Sequence, residues 1–344
     1  MRGLAAAVTH ACSLARSDIR NQLSTVRDRL DALPLPGSGH TGYRWDALAE
    51  VAATSLSLAR LAEAHADAVA ICAEAGRLDV VTGTFGVWAS DGPESRVEAV
   101  PVRQGFKLVG IKRFCSGSTL VDRALVTAHA PDGLRLFAVN MDDPSIEVDV
   151  DAWATAAFAE TETGTVRFDL HVPSTDVVGA PGFYLHRPGF WHGAVGVAAC
   201  WAGGGISLVR RYRDHHRRDD AHSLAHLGAM EAACWAMKSV MHTAAAEIDA
   251  DPFDLSARAR PRALALRHVV EQNCRDVLAR LARAAGPRLA AFDPWFAQQC
   301  ADLSLYLQQC HGERDLETIG RDSVTTNLTL KTDANGAVRR SIHE

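Results

Sequence analysis

The sequence has no excess of basic residues, and this limits the partners that it can have. Lysine and arginine together number 36 against 41 aspartates and glutamates, so the formal net charge is −5. A protein that binds nucleic acid over a broad surface needs a basic face to neutralise the phosphates. We therefore expect no nucleic-acid partner.

Paired cysteines and long hydrophobic runs are missing as well. The eight cysteines are scattered without a C-x-x-C pair, and we interpret most of them as reduced residues of a hydrophobic core. The apolar stretch at the N-terminus is interrupted by His10 and Ser13 and is too short for a signal peptide, and no run approaches the length of a membrane span. These absences predict a cytoplasmic protein with no membrane partner.

What the chain does have is a large apolar content arranged in three zones. With 344 residues, of which 47% are hydrophobic, it can bury a sizeable core in two or three domains. Apolar residues recur at helical spacing in residues 1–79 and again in residues 181–321. Residues 80–180 instead contain short runs rich in valine, phenylalanine and threonine. A polar tail follows at residues 322–344.

The spacing within these zones predicts the elements. Helices are expected over residues 11–33 and 45–75, with Gly76 at the end of the second, and four or so helices of bundle length after residue 184. Seven short runs in the middle zone are separated by turn residues without a helix between them, which is typical of an antiparallel sheet or barrel. The fold class is therefore α+β, with a β domain between two helical domains.

The stretch IKRFCSGS, residues 111–118, is open to two chemical interpretations. A cysteine beside a serine and a glycine could form the sharp turn of a nucleophilic enzyme, or a polar lining against a flat cofactor. A nucleophile elbow needs G-x-S-x-G between a strand and a helix of a parallel sheet. FCSGS lacks the first glycine, and the strands around it are predicted to be antiparallel. The pattern favours the cofactor lining.

The order of the three zones, with the residues in them, resembles the acyl-CoA dehydrogenase family. The matching segments are GFKLVGIKRFCSG, GTVRFDLHVPSTDVVGAPGFY and LYLQQCHGERDLETIGR, and the resemblance covers residues 45–321. It implies an N-terminal helical domain, a central β domain and a C-terminal four-helix bundle. It also implies FAD as cofactor, acyl-CoA or a related small acyl substrate, an electron-transfer partner, and a homodimer or homotetramer that completes the flavin site.

The resemblance also implies which residues contact the flavin. Residues 114–116 occupy the place where the family has an aromatic, an aliphatic and a hydroxyl residue at the ring, and residues 86–93 resemble its other flavin loop. Such a ring needs an apolar wall and a few hydrogen-bond donors. The cofactor-binding residues implied are Val87, Trp88, Ala89, Ser90, Phe114, Cys115 and Ser116.

Two parts of the family pattern are changed in this chain. The family's catalytic base is a glutamate followed by glycine, whereas CHGER places His311 before its glycine; a register two residues later would make Glu313 the base. The R-x-x-F-G segment that reaches the FAD pyrophosphate is absent. Arg210 and Arg211 could bind phosphates in its place, or could lie on a solvated helix end.

Three functions are compatible with these features. The first is an acyl-CoA dehydrogenase-like oxidoreductase that transfers hydride to FAD. The second is a flavin-dependent monooxygenase of the same fold, which needs no carboxylate base. The third is a catalytically degenerate relative with a structural role. His222 and His226 lie at i and i+4, but no third ligand is evident, and we expect no metal.

Overall fold

The computed structural model describes residues 18–215 and 220–324. The first part of the helix expected over residues 11–33, and nearly all of the polar tail expected at 322–344, lie outside the described residues. Cys12 lies outside them too.

The N-terminal zone forms three helices, α1 (Ile19–Asp31), α2 (Thr41–Thr54) and α3 (Leu56–Glu74). The prediction of one helix over residues 45–75 is wrong, because the chain is extended at Ser55 and two helices meet there. The Ser55 hydroxyl accepts a hydrogen bond from the amide of Leu58 at 3.1 Å and caps α3. Gly76 follows α3 with φ +67° and confirms the predicted helix end.

The middle zone is an eight-stranded sheet. All seven runs predicted as strands are strands, and the sheet order is β6-β7-β3-β2-β4-β5-β8, with β1 beside β4. Most neighbours are antiparallel, but β1 runs parallel to β4, and β2 meets β4 through one parallel bridge. The strands are β1 (Phe85–Trp88), β2 (Val97–Val102), β3 (Gly105–Cys115), β4 (Arg123–Ala130), β5 (Gly133–Asn140), β6 (Ile146–Asp149), β7 (Gly164–Pro173) and β8 (Val177–Val178).

Helices return after β8, with breaks at the predicted ADPFD, AAGPR and HGERD segments. Helix α5 (Gly189–His215) is long and apolar enough to cross a membrane by composition, which the sequence did not predict, but 78% of its most apolar window is buried inside the protein. It is a core helix, apolar all round because its neighbours surround it. The helices are α4 (Phe183–His186), α5 (Gly189–His215), α6 (Ala221–Ala250), α7 (Ala259–Ala284), α8 (Pro287–Phe292), α9 (Pro294–Tyr306) and α10 (residues 313–324).

One hydrophobic core runs through all three zones. It includes Trp45 of α2, Phe168 of β7 and Trp201 of α5, each almost fully buried. Burial of large aromatic side chains contributes most of the stability of such a core. The zones therefore pack as one body, with α2 and α3 packed directly against α5 and with β1 of the sheet packed against α3.

A buried carboxylate on α9 joins the three zones through hydrogen bonds. Asp302 accepts from the hydroxyl of Ser57 on α3 at 3.1 Å and from the backbone amide of Phe158, before β7, at 2.7 Å. Within α9 it also accepts from the amide of Gln298 at 2.7 Å. With 1% exposure, Asp302 is satisfied by protein donors in place of water.

Candidate active site

The structure brings the two segments predicted to contact a flavin side by side. The indole N–H of Trp88 donates to the carbonyl of Ser116 at 3.1 Å, and the hydroxyl of Ser90 donates to the carbonyl of Arg113 at 2.6 Å. The ammonium of Lys112 donates to the carbonyl of Ser90 at 2.7 Å. These three bonds fix residues 87–90 and 113–116 as one continuous surface.

Lys112 supports this surface from its buried side, and it is not among the site residues predicted from the sequence. The side chain is wholly buried, and its ammonium also donates to the hydroxyl of Thr127 on β4 at 3.0 Å. Burial lowers the pKa of Lys112. The strand GFKLVGIKRFC carries three basic residues, and only Lys112 occupies an inward position, where a charge must meet acceptors.

Phe114 is the most unusual residue of this surface. Its φ is +61°, and it lies at a bulge where the pairing of β3 with β7 shifts register between Lys112 and Cys115. The left-handed region is unfavourable for a bulky residue, so the backbone is strained here. The strained turn directs the ring outward, where 68% of the residue is exposed. An aromatic face is thus presented to solvent on a rigid support.

The two residues that follow Phe114, Cys115 and Ser116, are buried. Cys115 is fully buried, its thiol lies 3.4 Å from the carbonyl of Lys112, and burial raises its pKa well above the usual range. Such a thiol is no nucleophile, in agreement with the cofactor interpretation, and only its backbone could contact a cofactor. The Ser116 hydroxyl accepts a hydrogen bond from Thr163 at 3.1 Å. Trp88 is 3% exposed and serves as a wedge between the segments.

A cavity of about 320 Å³ adjoins this surface and contains Val87 in its wall. It lies between α3, β1, the start of α5, α7 and the segment before α10. His311 lines the same cavity, and its Nδ1 is 3.6 Å from a carboxylate oxygen of Asp315. Glu313 is exposed and is not among the lining residues. Of the two predicted bases, the structure brings only His311 to the cavity.

Two carboxylates that the sequence reading missed form one wall of the cavity. Glu63 and Asp67 lie one turn apart on α3. Burial and, after it, the charge of Asp67 raise the pKa of Glu63 to about 7, against the lowering effect of Arg60. Burial also raises the pKa of Asp67. The available signal was a pair of acids at i and i+4 on the apolar side of a helix.

The raised pKa of Glu63 predicts a pH-dependent stability. In the unfolded chain a glutamate titrates near pH 4.3, and in the folded protein Glu63 titrates at about 7. Between these values the folded state binds more protons than the unfolded state, so the free energy of unfolding falls as pH rises, by up to about 1.4 kcal/mol per pH unit. Glu63→Gln should remove this contribution, and urea unfolding across that window measures it.

The matched control for this titration is Glu50→Gln. Glu50 is a half-buried carboxylate on the neighbouring helix α2, outside the cavity. That variant should keep the slope of the wild type. An identical slope in wild type and Glu63→Gln would show that Glu63 does not titrate in this window.

The two arginines predicted to bind phosphate lie elsewhere in the chain. Arg211 forms an ion pair with Asp293 at 2.6 Å and stacks over Trp295. Arg210 lines a separate groove of about 770 Å³ between α2, α5 and α6. Both are near the end of α5, whose start lines the cavity; a helix of 27 residues is about 40 Å long. Within one chain they do not meet the flavin segments, and their phosphate role stays a prediction.

Several solved structures share the fold of this chain. No family model matches the sequence, and no curated protein is similar to it at a significant level. Among solved structures, TdsC from Paenibacillus sp. A11-2, a dibenzothiophene monooxygenase seen with FMN and indole, is 18% identical with a TM-score of 0.78, covering 93% of this chain and 96% of its own. Methanesulfinate monooxygenase MsuC from Pseudomonas fluorescens is 18% identical with a TM-score of 0.77, covering 94% and 96%.

A third similar structure is KijD3 in complex with FMN and a dTDP-linked amino sugar. It is 15% identical with a TM-score of 0.80, covering 94% of this chain and 92% of its own. These likenesses extend over nearly the whole chain and confirm the acyl-CoA dehydrogenase-like fold that the sequence predicted.

Proposed function

We propose that the protein is a flavin-dependent monooxygenase. The observation that carries this proposal is Phe114, an exposed aromatic ring on a strained turn that is hydrogen-bonded to the segment 87–90, whose Val87 lines the cavity. Backbone strain that persists in a rigid setting is typical of functional sites. The monooxygenases TdsC and MsuC, which share this fold, support oxygen transfer over dehydrogenation of an acyl-CoA.

The residues present fit a flat flavin ring. The ring of Phe114 offers an aromatic wall, and the backbone of residues 87–90 lies beside it with the hydroxyl of Ser90 at the junction. When bound and reduced, the flavin would supply the electrons needed to activate oxygen. The bonds from Trp88 and Lys112 keep both segments in place, so the ring would meet a surface that needs no rearrangement.

The flavin itself is FMN or FAD, and we expect FMN first. FAD was implied by the family resemblance, and its pyrophosphate would need the arginine contacts that the chain lacks in R-x-x-F-G form. Arg211, one substitute, is already paired with Asp293. TdsC and KijD3 hold FMN.

The two predicted bases are poorly placed to remove an α-proton, and the carboxylates that do line the cavity, Glu63 and Asp67, are not the family's glutamate-glycine base. Removal of an α-proton from an acyl thioester needs a positioned carboxylate or equivalent base. Glu313 lies outside the cavity, and His311 lies at its rim with 66% of its side chain exposed. A monooxygenase does not depend on either group acting as that base.

A monooxygenase of this kind needs partners. We propose an NAD(P)H-dependent flavin reductase as the source of reduced flavin, and a homodimer or homotetramer as the assembled form. Trp235 on α6 is 73% exposed and Leu224 on the same helix is 45% exposed. Large apolar side chains exposed on one helix are typical of a protein interface. Light scattering of the purified protein measures the assembly.

The decisive experiment for this proposal is flavin loading followed by turnover. The protein, incubated with FMN or FAD and freed of excess, should retain flavin absorbance, and mass spectrometry identifies which flavin is held. With a flavin reductase, NADH and oxygen, a bound small aromatic or sulfur compound should gain one oxygen atom. A protein that retains neither flavin would instead be a catalytically degenerate relative.

A further inference from the structure

The carboxylate of Glu63 is buried in the cavity wall, where its side chain is 7% exposed. Its ion-pair partner is Arg60, whose Nη1 lies 3.6 Å from the carboxylate, at the long end of ion-pair distance. A buried carboxylate is stable only when it is paired, hydrogen-bonded or protonated. The pair with Arg60 offsets burial only in part, because burial and the charge of Asp67 still raise the pKa of Glu63.

The arginines near the cavity are occupied by other groups. Arg267 donates to the carbonyls of Ala194 at 2.8 Å and Gln309 at 3.2 Å. Arg187 donates to Glu74 at 2.9 Å, and its other terminal nitrogen is 3.8 Å from Asp67. These contacts direct the guanidinium groups toward protein acceptors, and neither forms an ion pair with Glu63, although the charge of Arg267 partly opposes the rise in the pKa of Glu63.

The wall across from the two carboxylates is aromatic. Tyr184, Phe190 and Trp191 line the cavity and pack edge to face, with ring centroids 5.5 Å and 5.2 Å apart. Aromatic faces attract organic cations through the charge distribution of the ring, most strongly where water is excluded. The guanidinium of Arg187 already lies over the ring of Tyr184, 5.7 Å from its centroid, so Phe190 and Trp191 are the rings that a ligand cation would meet beside the carboxylates.

Other titratable and charged groups surround Glu63 on every side. Burial, together with these groups, raises the pKa of Glu63 to about 7, so a bound cation would displace the proton that the carboxylate holds below that pH. These groups are Arg60 and Asp67 on α3, Arg44 on α2, Tyr184 on α4, Arg187 before α5, Cys200 on α5, Arg267 on α7, Tyr306 on α9, and His311 and Asp315.

We propose that the substrate carries a protonated amine, and that Glu63, with Asp67 one turn away, binds the ammonium group while the aromatic wall covers the adjoining carbon atoms. This inference rests on the proposed function, because it takes the cavity that Val87 lines as the substrate pocket. Glu63 is then the residue that sets substrate specificity, and amines are the class to be oxygenated.

Three ligands that share one ring and differ in charge test the proposal: benzylammonium, benzyl alcohol and benzoate. Calorimetric titration of the full chain above neutral pH should show benzylammonium binding tightest. In Glu63→Gln the affinity for benzylammonium should fall by about 10-fold or more, as expected for loss of a buried charged partner. Tighter binding of benzoate than of benzylammonium, or an unchanged affinity in Glu63→Gln, would overturn the proposal.

The pH dependence of binding gives a second, independent readout. An alkylammonium stays charged to about pH 10, so only the protein titrates below that value. In the wild type the affinity for benzylammonium should rise as pH increases through about 7 and should be flat over that range in Glu63→Gln. Glu50→Gln, which alters a carboxylate outside the cavity, should behave as wild type.

Titrations with and without bound flavin separate this inference from the proposed function. Benzylammonium binding that depends on Glu63, in a protein that retains no flavin, would leave the ammonium site standing and reject the monooxygenase. Retention of flavin with no preference among the three ligands would reject the ammonium site and leave the monooxygenase proposal standing. Melting temperatures of both glutamine variants verify that each is folded.

Discussion

Replacing Phe114 by glycine is expected to make the protein more stable and to weaken flavin binding. Glycine adopts φ +61° without strain, which favours folding by about 1–2 kcal/mol. Its greater freedom in the unfolded chain opposes this by roughly 0.5–1 kcal/mol, so the free energy of unfolding should rise by up to about 1 kcal/mol. The ring is 68% exposed and contributes little to the core. Covering a phenylalanine side chain contributes about 1.5–3 kcal/mol, so flavin affinity should fall by roughly 10- to 100-fold.

The opposite signs of the two effects make this test specific. Thermal melting measures the stability, and fluorescence titration with FMN measures the affinity. Phe114→Leu is the matched control, since it keeps the strained backbone and apolar bulk but loses the aromatic face, and it should bind flavin with intermediate affinity at wild-type stability. A glycine variant that holds FMN as tightly as the wild type would remove Phe114 from the flavin site.

Replacing Asp302 by alanine should cause the largest loss of stability. Ser57 and the backbone amide of Phe158 donate to its carboxylate at 3.1 and 2.7 Å, and both would be left buried without an acceptor. Loss of one member of a buried polar network typically costs about 3–5 kcal/mol. Urea unfolding measures the change, and Asp302→Asn, which keeps one acceptor oxygen, should lose clearly less.

Asp302→Ala should also perturb the surface formed by residues 87–90 and 113–116. Phe158 begins the segment whose Thr161 carbonyl accepts from the amide of Gly117 at 2.8 Å, directly after Ser116. Loosening this segment at Asp302 should therefore reduce flavin affinity as well as stability. An Asp302→Ala protein with wild-type unfolding energy would show that the three zones are held together without this carboxylate.

Asp302 and Phe114 both bear on the proposed flavin site. Asp302 stabilises the packing around it, and Phe114 is the strained residue within it. The core and the inter-zone hydrogen bonds fix the loops around residues 87–90 and 113–116, and this rigidity allows an unfavourable backbone conformation to persist. A ligand that covers Phe114 and a cation that meets Glu63 would each relieve an unfavourable feature of the empty protein. Binding would thus stabilise the folded state by mass action.

Local properties of the sequence determined the elements and their order. Alternation and turn residues located all seven predicted strands, and Gly76 marked the end of α3, because these signals act within a few residues. The resemblance carried by IKRFCSGS predicted Phe114 as a flavin contact. The acyl-CoA dehydrogenase-like fold followed from the order of the elements, since few arrangements place a β domain between two helical ones.

Only the tertiary structure decided the contents of the site. Glu63 and Asp67 on α3, Arg267 on α7 and His311 before α10 are separated by up to about 250 positions in the chain, and no local pattern relates them. His311 rather than Glu313 enters the cavity because the turn at Gly312, with φ +52°, directs the chain there. The charge on Glu63 depends on burial and on neighbours from several helices, and these exist only once the chain has folded.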